Sequence, residues 1–96
     1  MRIRYTLRAF ADRESIYDYL GKRSPQGARN VMRAIVHAIE GLASHPRIGR
    51  LTDKPDVYEL IVPRRPYKVY YRIERDEVWI IHIRDARRRP WQGEGD

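Results

Sequence analysis

Two runs near the end of the chain restrict its fold more than any other feature. From Lys68 to Ile73 and from Val78 to Ile83 the residues are β-branched, aromatic or aliphatic, with charges at alternate places, and Glu74-Arg75-Asp76-Glu77 interrupts them. Such a pattern predicts a β-hairpin with a tight polar turn. Successive side chains on a strand point to opposite faces. Val69, Tyr71 and Ile73 should therefore face one way, and Lys68, Tyr70 and Arg72 the other. On the second strand the same alternation sets Trp79, Ile81 and Ile83 as the apolar side and groups His82 and Arg84 with Val78 and Ile80. One face builds a core while the other, with Lys68, Tyr70, Arg72, His82 and Arg84, is expected to lie open and collect cations.

The rest of the chain supplies what covers the apolar face. Ser24 and Pro25 open a helix whose apolar residues, Ala28, Val31, Met32, Ile35, Ala38, Ile39 and Leu42, recur at steps of three and four. Serine suits the N-cap, and proline the first turn, where its missing N–H has no partner to lose. His45-Pro46 is expected to close this helix. A first helix over Ala9 to Leu20 carries Ala9, Ile16, Tyr19 and Leu20 at helical spacing, with Arg13 interrupting the stripe and Gly21 ending it. Met1 to Thr6 alternates as a short strand, Val57 to Val62 reads as another, and 47 to 55 is the main irregular segment. The order is strand, helical hairpin, then a three-stranded antiparallel meander. This predicts an α+β fold with both helices on one face of the sheet.

Ninety-six residues make one domain with one core, and 92–96 has the composition of a frayed tail. Without cysteine, disulfides, thiolate chemistry and the usual structural zinc sites are excluded. The three histidines have no metal-ligand spacing and no Gly-rich phosphate loop occurs, so neither a metal nor another cofactor is expected. No apolar run approaches the roughly 18 residues that span a bilayer, and no export signal precedes the first strand, so a cytoplasmic protein is expected. Twenty Lys and Arg stand against thirteen Asp and Glu, a net charge of +7. That balance points to a polyanionic partner, nucleic acid or an acidic protein, with plain solubility as the alternative.

Several elements together resemble the RelE/ParE superfamily, the toxin halves of bacterial type II toxin–antitoxin pairs. They are Ser24-Pro25-x-x-Ala28, Leu42-x-x-His45-Pro46-x-x-Gly49, Glu59 to Val62, Pro66-Tyr67 leading to Tyr71-Arg72-Ile73, and Val78 to Ile83 followed by Ala86-Arg87-Arg88. The resemblance covers nearly the whole chain. It implies a toxin neutralised by a cognate antitoxin whose acidic segment folds over it, and two possible targets. In the RelE branch, basic residues of the sheet face assist cleavage of messenger RNA on the ribosome; the ParE branch is linked to poisoning of DNA gyrase. Tyr58 and Asp85 stand where many relatives carry arginine and histidine, and the end of this chain, rich in arginine with Pro90 and Trp91, is closer to the ParE branch.

Candidate site residues divide accordingly. A nuclease needs cations near the scissile phosphate and a proton carrier near neutral pH. Lys68, Arg72 and Arg84 are candidates for the first and His82 for the second; Glu59 is a possible base, with pairing to a neighbouring arginine as its plainer role. For binding the target or nucleic acid, Arg87, Arg88, Arg89 and Trp91 form the densest basic and aromatic cluster, and Arg64 with Arg65 a basic corner between prolines. A solvated terminal run is the alternative there. Phe10, Tyr17, Met32 and Val36 are candidate antitoxin contacts, or they complete the chain's own core.

Overall fold

The computed structural model describes residues 1–88. Strand β1 (Arg2–Tyr5) leads into helix α1 (Leu7–Gly21), then α2 (Pro25–Glu40), a short 3-10 turn (Gly41–Ala43), and strands β2 (Arg50–Leu51), β3 (Tyr58–Ile61), β4 (Tyr67–Glu74) and β5 (Glu77–Asp85). The five strands form one sheet in the order β1-β5-β4-β3-β2. The meander β3-β4-β5 is antiparallel as expected, whereas β1 pairs with β5 in parallel, setting Ile3 beside Val78 and Tyr5 beside Ile80. A parallel neighbour needs a long crossover, and here the helical hairpin and the meander together provide it. The irregular segment also contains the short β2, which caps the sheet by pairing Arg50 with Glu59 and Leu51 with Tyr58.

Both helices start on side-chain caps. The Thr6 hydroxyl accepts the Ala9 N–H at 3.1 Å, so α1 begins two residues before its apolar stripe. The Ser24 hydroxyl accepts the Gly27 N–H at 3.0 Å with Pro25 in the first turn. Replacing Ser24 by alanine leaves that N–H without its partner and is expected to cost about 1 kcal/mol, read from a urea midpoint; an unchanged midpoint would show that water caps the helix equally well. Helix α2 ends at Glu40, earlier than His45-Pro46 implies, because the chain tightens into the 3-10 turn that carries Leu42 into the core. Of the α1 stripe, Ala9 is buried and Ile16 and Leu20 pack on the core, but Tyr19 is 56% exposed. Arg13 fits the helix by laying its guanidinium over the rings of Tyr5 and Phe10, at 5.1 and 6.0 Å.

Ala9, Ile35, Ile39 and Leu42 from the helical layer close on Val62, Val69, Tyr71, Val78, Ile80 and Ile83 from the sheet and its connections. In β4 the facing is the expected one. In β5 it is not. Val78 and Ile80 are fully buried in the core, and Trp79 lies on the other face, only half-buried. The cause is the register: Tyr71 pairs with Ile80 but Tyr70 with His82, so Ile81 is an extra, bulged residue. One inserted residue inverts the facing of all that follows, which is why Val78, Ile80 and Ile83 share the core although their spacing is not even.

Candidate functional site

Residues paired across neighbouring strands share a face, so the register arranges the open face into rows. One row runs Arg50, Glu59, Tyr70, His82 across four strands. A second holds Ile61, Lys68 and Arg84, and a third Arg4, Trp79 and Arg72. Cations from all three rows thus stand on one surface, as the alternation predicts.

They do not stand there as an unopposed field. Glu59 is almost fully buried and takes Arg50 at 3.2 Å, Lys68 at 3.3 Å and the Tyr70 hydroxyl at 3.2 Å. Its plainer role, pairing, is the one observed, with Lys68 as well as an arginine. Arg72 lies 3.7 Å from Glu74, and Arg4 bonds Glu77 at 3.0 Å while covering the Trp79 ring. Arg4 holds the Glu77 carboxyl below its ordinary range, against a smaller opposing effect of desolvation.

Tyr70 and His82 are both buried, which corrects the expectation that this face lies open at their positions. Their rings stack at 5.9 Å, and His82 Nδ1 lies 2.7 Å from Asp12 Oδ2. The same Asp12 oxygen accepts the Ile83 N–H at 3.0 Å. Here β5 has run past the end of β1, so its edge amide has no strand to bond to, and α1 supplies a carboxylate instead. A polar chain therefore crosses the sheet from Glu59 through Tyr70 and His82 to Asp12. Burial pushes the Tyr70 hydroxyl up to about 12, with the Glu59 charge and hydrogen bond adding and Arg84 opposing.

Asp12 and its neighbour Arg8, 3.5 Å away, are site residues that the sequence pattern does not single out. The one local signal is their i, i+4 spacing, which says nothing of a strand 70 residues on. Between α1 and the end of β5 lies a cleft of about 760 Å³, lined among others by Arg8, Tyr19, Tyr67, His82, Arg84 and Arg88. Beyond it Asp85 clasps Arg87 with both oxygens, at 2.7 and 3.0 Å, and Arg87 lowers the Asp85 pKa in return.

The remaining candidates are dispersed. Arg64 occupies the β3–β4 turn in the left-handed region, φ 63°, and is exposed, with Arg65 half-buried beside it. Arg87 and Arg88 are exposed, and Arg89, Trp91 and the expected tail 92–96 lie outside the described residues. Phe10 and Tyr17 are exposed on α1, at 52% and 41%, whereas Met32 and Val36 are half-buried on α2. Among the described residues no cluster of His, Asp and Glu could hold a metal ion, and no helix is long and apolar enough to cross a membrane.

Comparison with known proteins gives this architecture its context. The chain is 36% identical to Toxin RelE2 of Caulobacter vibrioides over 84 residues, 88% of this chain and 93% of that one. It superposes on a chain of the chromosomal ParDE toxin–antitoxin system of P. aeruginosa with a TM-score of 0.76 and 29% identity, covering 86% of this chain and 92% of that one. The fold also matches a chain of the E. coli RelBE toxin–antitoxin complex, TM-score 0.61 at 18% identity, over 91% and 98% of the two chains. The family model for the ParE toxin of type II toxin–antitoxin systems matches residues 3–90, and the chain belongs to that family, within the RelE/ParE superfamily of toxins.

Proposed function

We propose that this toxin acts by binding rather than by cutting: it inhibits DNA gyrase, and a cognate acidic antitoxin holds it inactive. The observation that carries this reading is the state of the sheet face. Lys68 is committed to the buried Glu59, and His82 is buried against Asp12. A ribonuclease of the RelE kind would need these groups to reach a scissile phosphate and a ribose hydroxyl. The exposed cations Arg87 and Arg88 instead extend the basic end of the chain, where the resemblance to the ParE branch also lies. The higher similarity to the ParDE chain than to the RelBE chain supports the same branch.

The antitoxin reading rests on surface chemistry. Leu7, Phe10 and Tyr17 leave apolar area on α1 exposed, and the chain's net charge of +7 favours an acidic segment. A segment that folds on binding would bury that area and remove the charge repulsion together. The alternative activity, a ribosome-dependent endoribonuclease using Lys68, Arg72, His82 and Arg84, has in its favour the name of the relative RelE2 and the three basic rows.

Pulse-labelling after induced expression without antitoxin separates the two. Thymidine incorporation should fall first, with a DNA-damage response, and the double variant R87Q/R88Q should relieve most of the growth arrest. Collapse of methionine incorporation within minutes, together with full relief in R72A, would assign the nuclease and overturn the gyrase reading.

A further inference from the structure

The α1 wall of the cleft between α1 and the end of β5, with Arg8 and Tyr19, is not accounted for by either target. Its volume, about 760 Å³, lies in the range of small-molecule sites, roughly 300–1,000 Å³. Four arginines, Arg8, Arg84, Arg87 and Arg88, meet two carboxylates in its lining. Both carboxylates are already engaged: Asp12 by His82 and the Ile83 amide, Asp85 by the Arg87 fork. Four guanidinium charges against two carboxylates leave the lining net positive. Arg88 is exposed and enters no ion pair among the described residues, and Arg8 has only a long 3.5 Å contact, so both forks can turn to an anion at small cost.

The walls are aromatic. Tyr19 is 56% exposed, which a helix residue of this size needs a reason for, and the Arg23 guanidinium sits 4.8 Å from its ring. An arginine against a tyrosine holds the ring in place for a further planar group. The floor is rigid, because Asp12 ties α1 to β5 through two hydrogen bonds. Guanidinium forks beside an aromatic ring on a fixed floor match a phosphate ester attached to a planar base.

We propose that this cleft binds one nucleotide unit, its phosphate on Arg8 and Arg88 with Arg84 adding charge, and its base on Tyr19. The unit is either a free nucleotide or part of a single strand. The site shares Arg88 with the gyrase reading and Arg84 with the nuclease alternative, whereas Arg8 and Tyr19 belong to neither, and its binding is read on the isolated chain without gyrase or ribosome.

The test is a titration of the purified 96-residue chain, followed by amide NMR, with AMP, with inorganic phosphate and with a single-stranded pentanucleotide. AMP should shift the amides of Ser15, Ile16 and Ile83 saturably. R88Q should weaken AMP at least tenfold, and Y19A should weaken AMP at least fivefold while leaving phosphate unchanged. R33Q, on the outer face of α2, should bind as the parent does; unperturbed spectra of the free variants guard against misfolding. Tighter binding of the pentanucleotide at the same amides assigns a strand as the source, and equal or weaker binding a free nucleotide. The proposal is overturned if neither AMP nor the pentanucleotide gives saturable shifts there, if phosphate binds as tightly as AMP, or if R33Q weakens binding as much as R88Q.

Discussion

Replacing Tyr71 by alanine is expected to remove about 3–5 kcal/mol of stability, the usual cost of emptying a buried aromatic site. Against a typical total of about 5–15 kcal/mol for a domain, that is about a third or more of the stability in all but the most stable cases. The size of the effect follows from what the ring holds. Tyr71 is 0% exposed, stacks on Tyr58 at 5.1 Å, and with its hydroxyl accepts the Gly49 N–H at 3.0 Å. It thus ties the loop after α2 to the centre of the sheet. Tyr71→Phe keeps the packing but orphans that amide, so about 1–3 kcal/mol should be lost instead.

Gly49 answers to the same contact. A Cβ there would meet the Tyr71 hydroxyl at 2.6 Å and the Glu59 carbonyl oxygen at 2.8 Å. Removing the hydroxyl clears the first obstruction and leaves the second, a backbone atom with no freedom to yield. Urea denaturation decides the matter. A Tyr71→Ala midpoint equivalent to less than about 1 kcal/mol of loss would show that the core closes over the gap, contrary to the packing described.

The second large effect is alkaline. With the Tyr70 hydroxyl at about 12 in the folded chain and near 10.0 when unfolded, the folded state holds this proton more tightly. The resulting stabilisation is complete below pH 10, declines as pH rises, and is gone above about pH 12; a shift of this size corresponds to about 3 kcal/mol. Burial raises Tyr67 and Tyr71 in the same direction, so they add to the slope. Unfolding free energies measured at intervals from pH 9 to 12 should therefore fall steeply in the parent and less steeply in Tyr70→Phe. Parallel curves for the two proteins would mean that Tyr70 does not carry the effect and that its hydroxyl is less buried in solution than described.

Much of this fold is legible before any coordinates. Helix α2 declares itself through Ser24, Pro25 and an unbroken stripe, because a cap and a 3.6-residue period are local properties. The β4–β5 hairpin does so through its alternation and its polar turn, where Arg75 adopts φ 57° without glycine. The α+β class follows from the order of these elements. The family is legible too, since its motifs sit in connections and caps.

The candidate site is legible only in part. Lys68, Arg72 and Arg84 fall on one face by alternation alone, and the structure keeps them there. Tyr70 and His82 share that face, but their burial depends on neighbours that no local pattern reveals. Asp12 is the clearest case: a polar residue of an ordinary helix surface until β1, laid parallel to β5, stops short and brings α1 across the unpaired amide of Ile83.

The periodic elements and their caps are thus readable from neighbours a few residues apart, and the order of the elements and the sign of the charge from the chain as written. Pairing is not readable in that way. The parallel placement of β1, the bulge at Ile81 that turns Val78 and Ile80 inward, and the bond from Asp12 to His82 each join residues distant in the chain. Such contacts are chosen by competition for the core and by the need to satisfy buried amides, and that competition is settled only when the whole chain has packed.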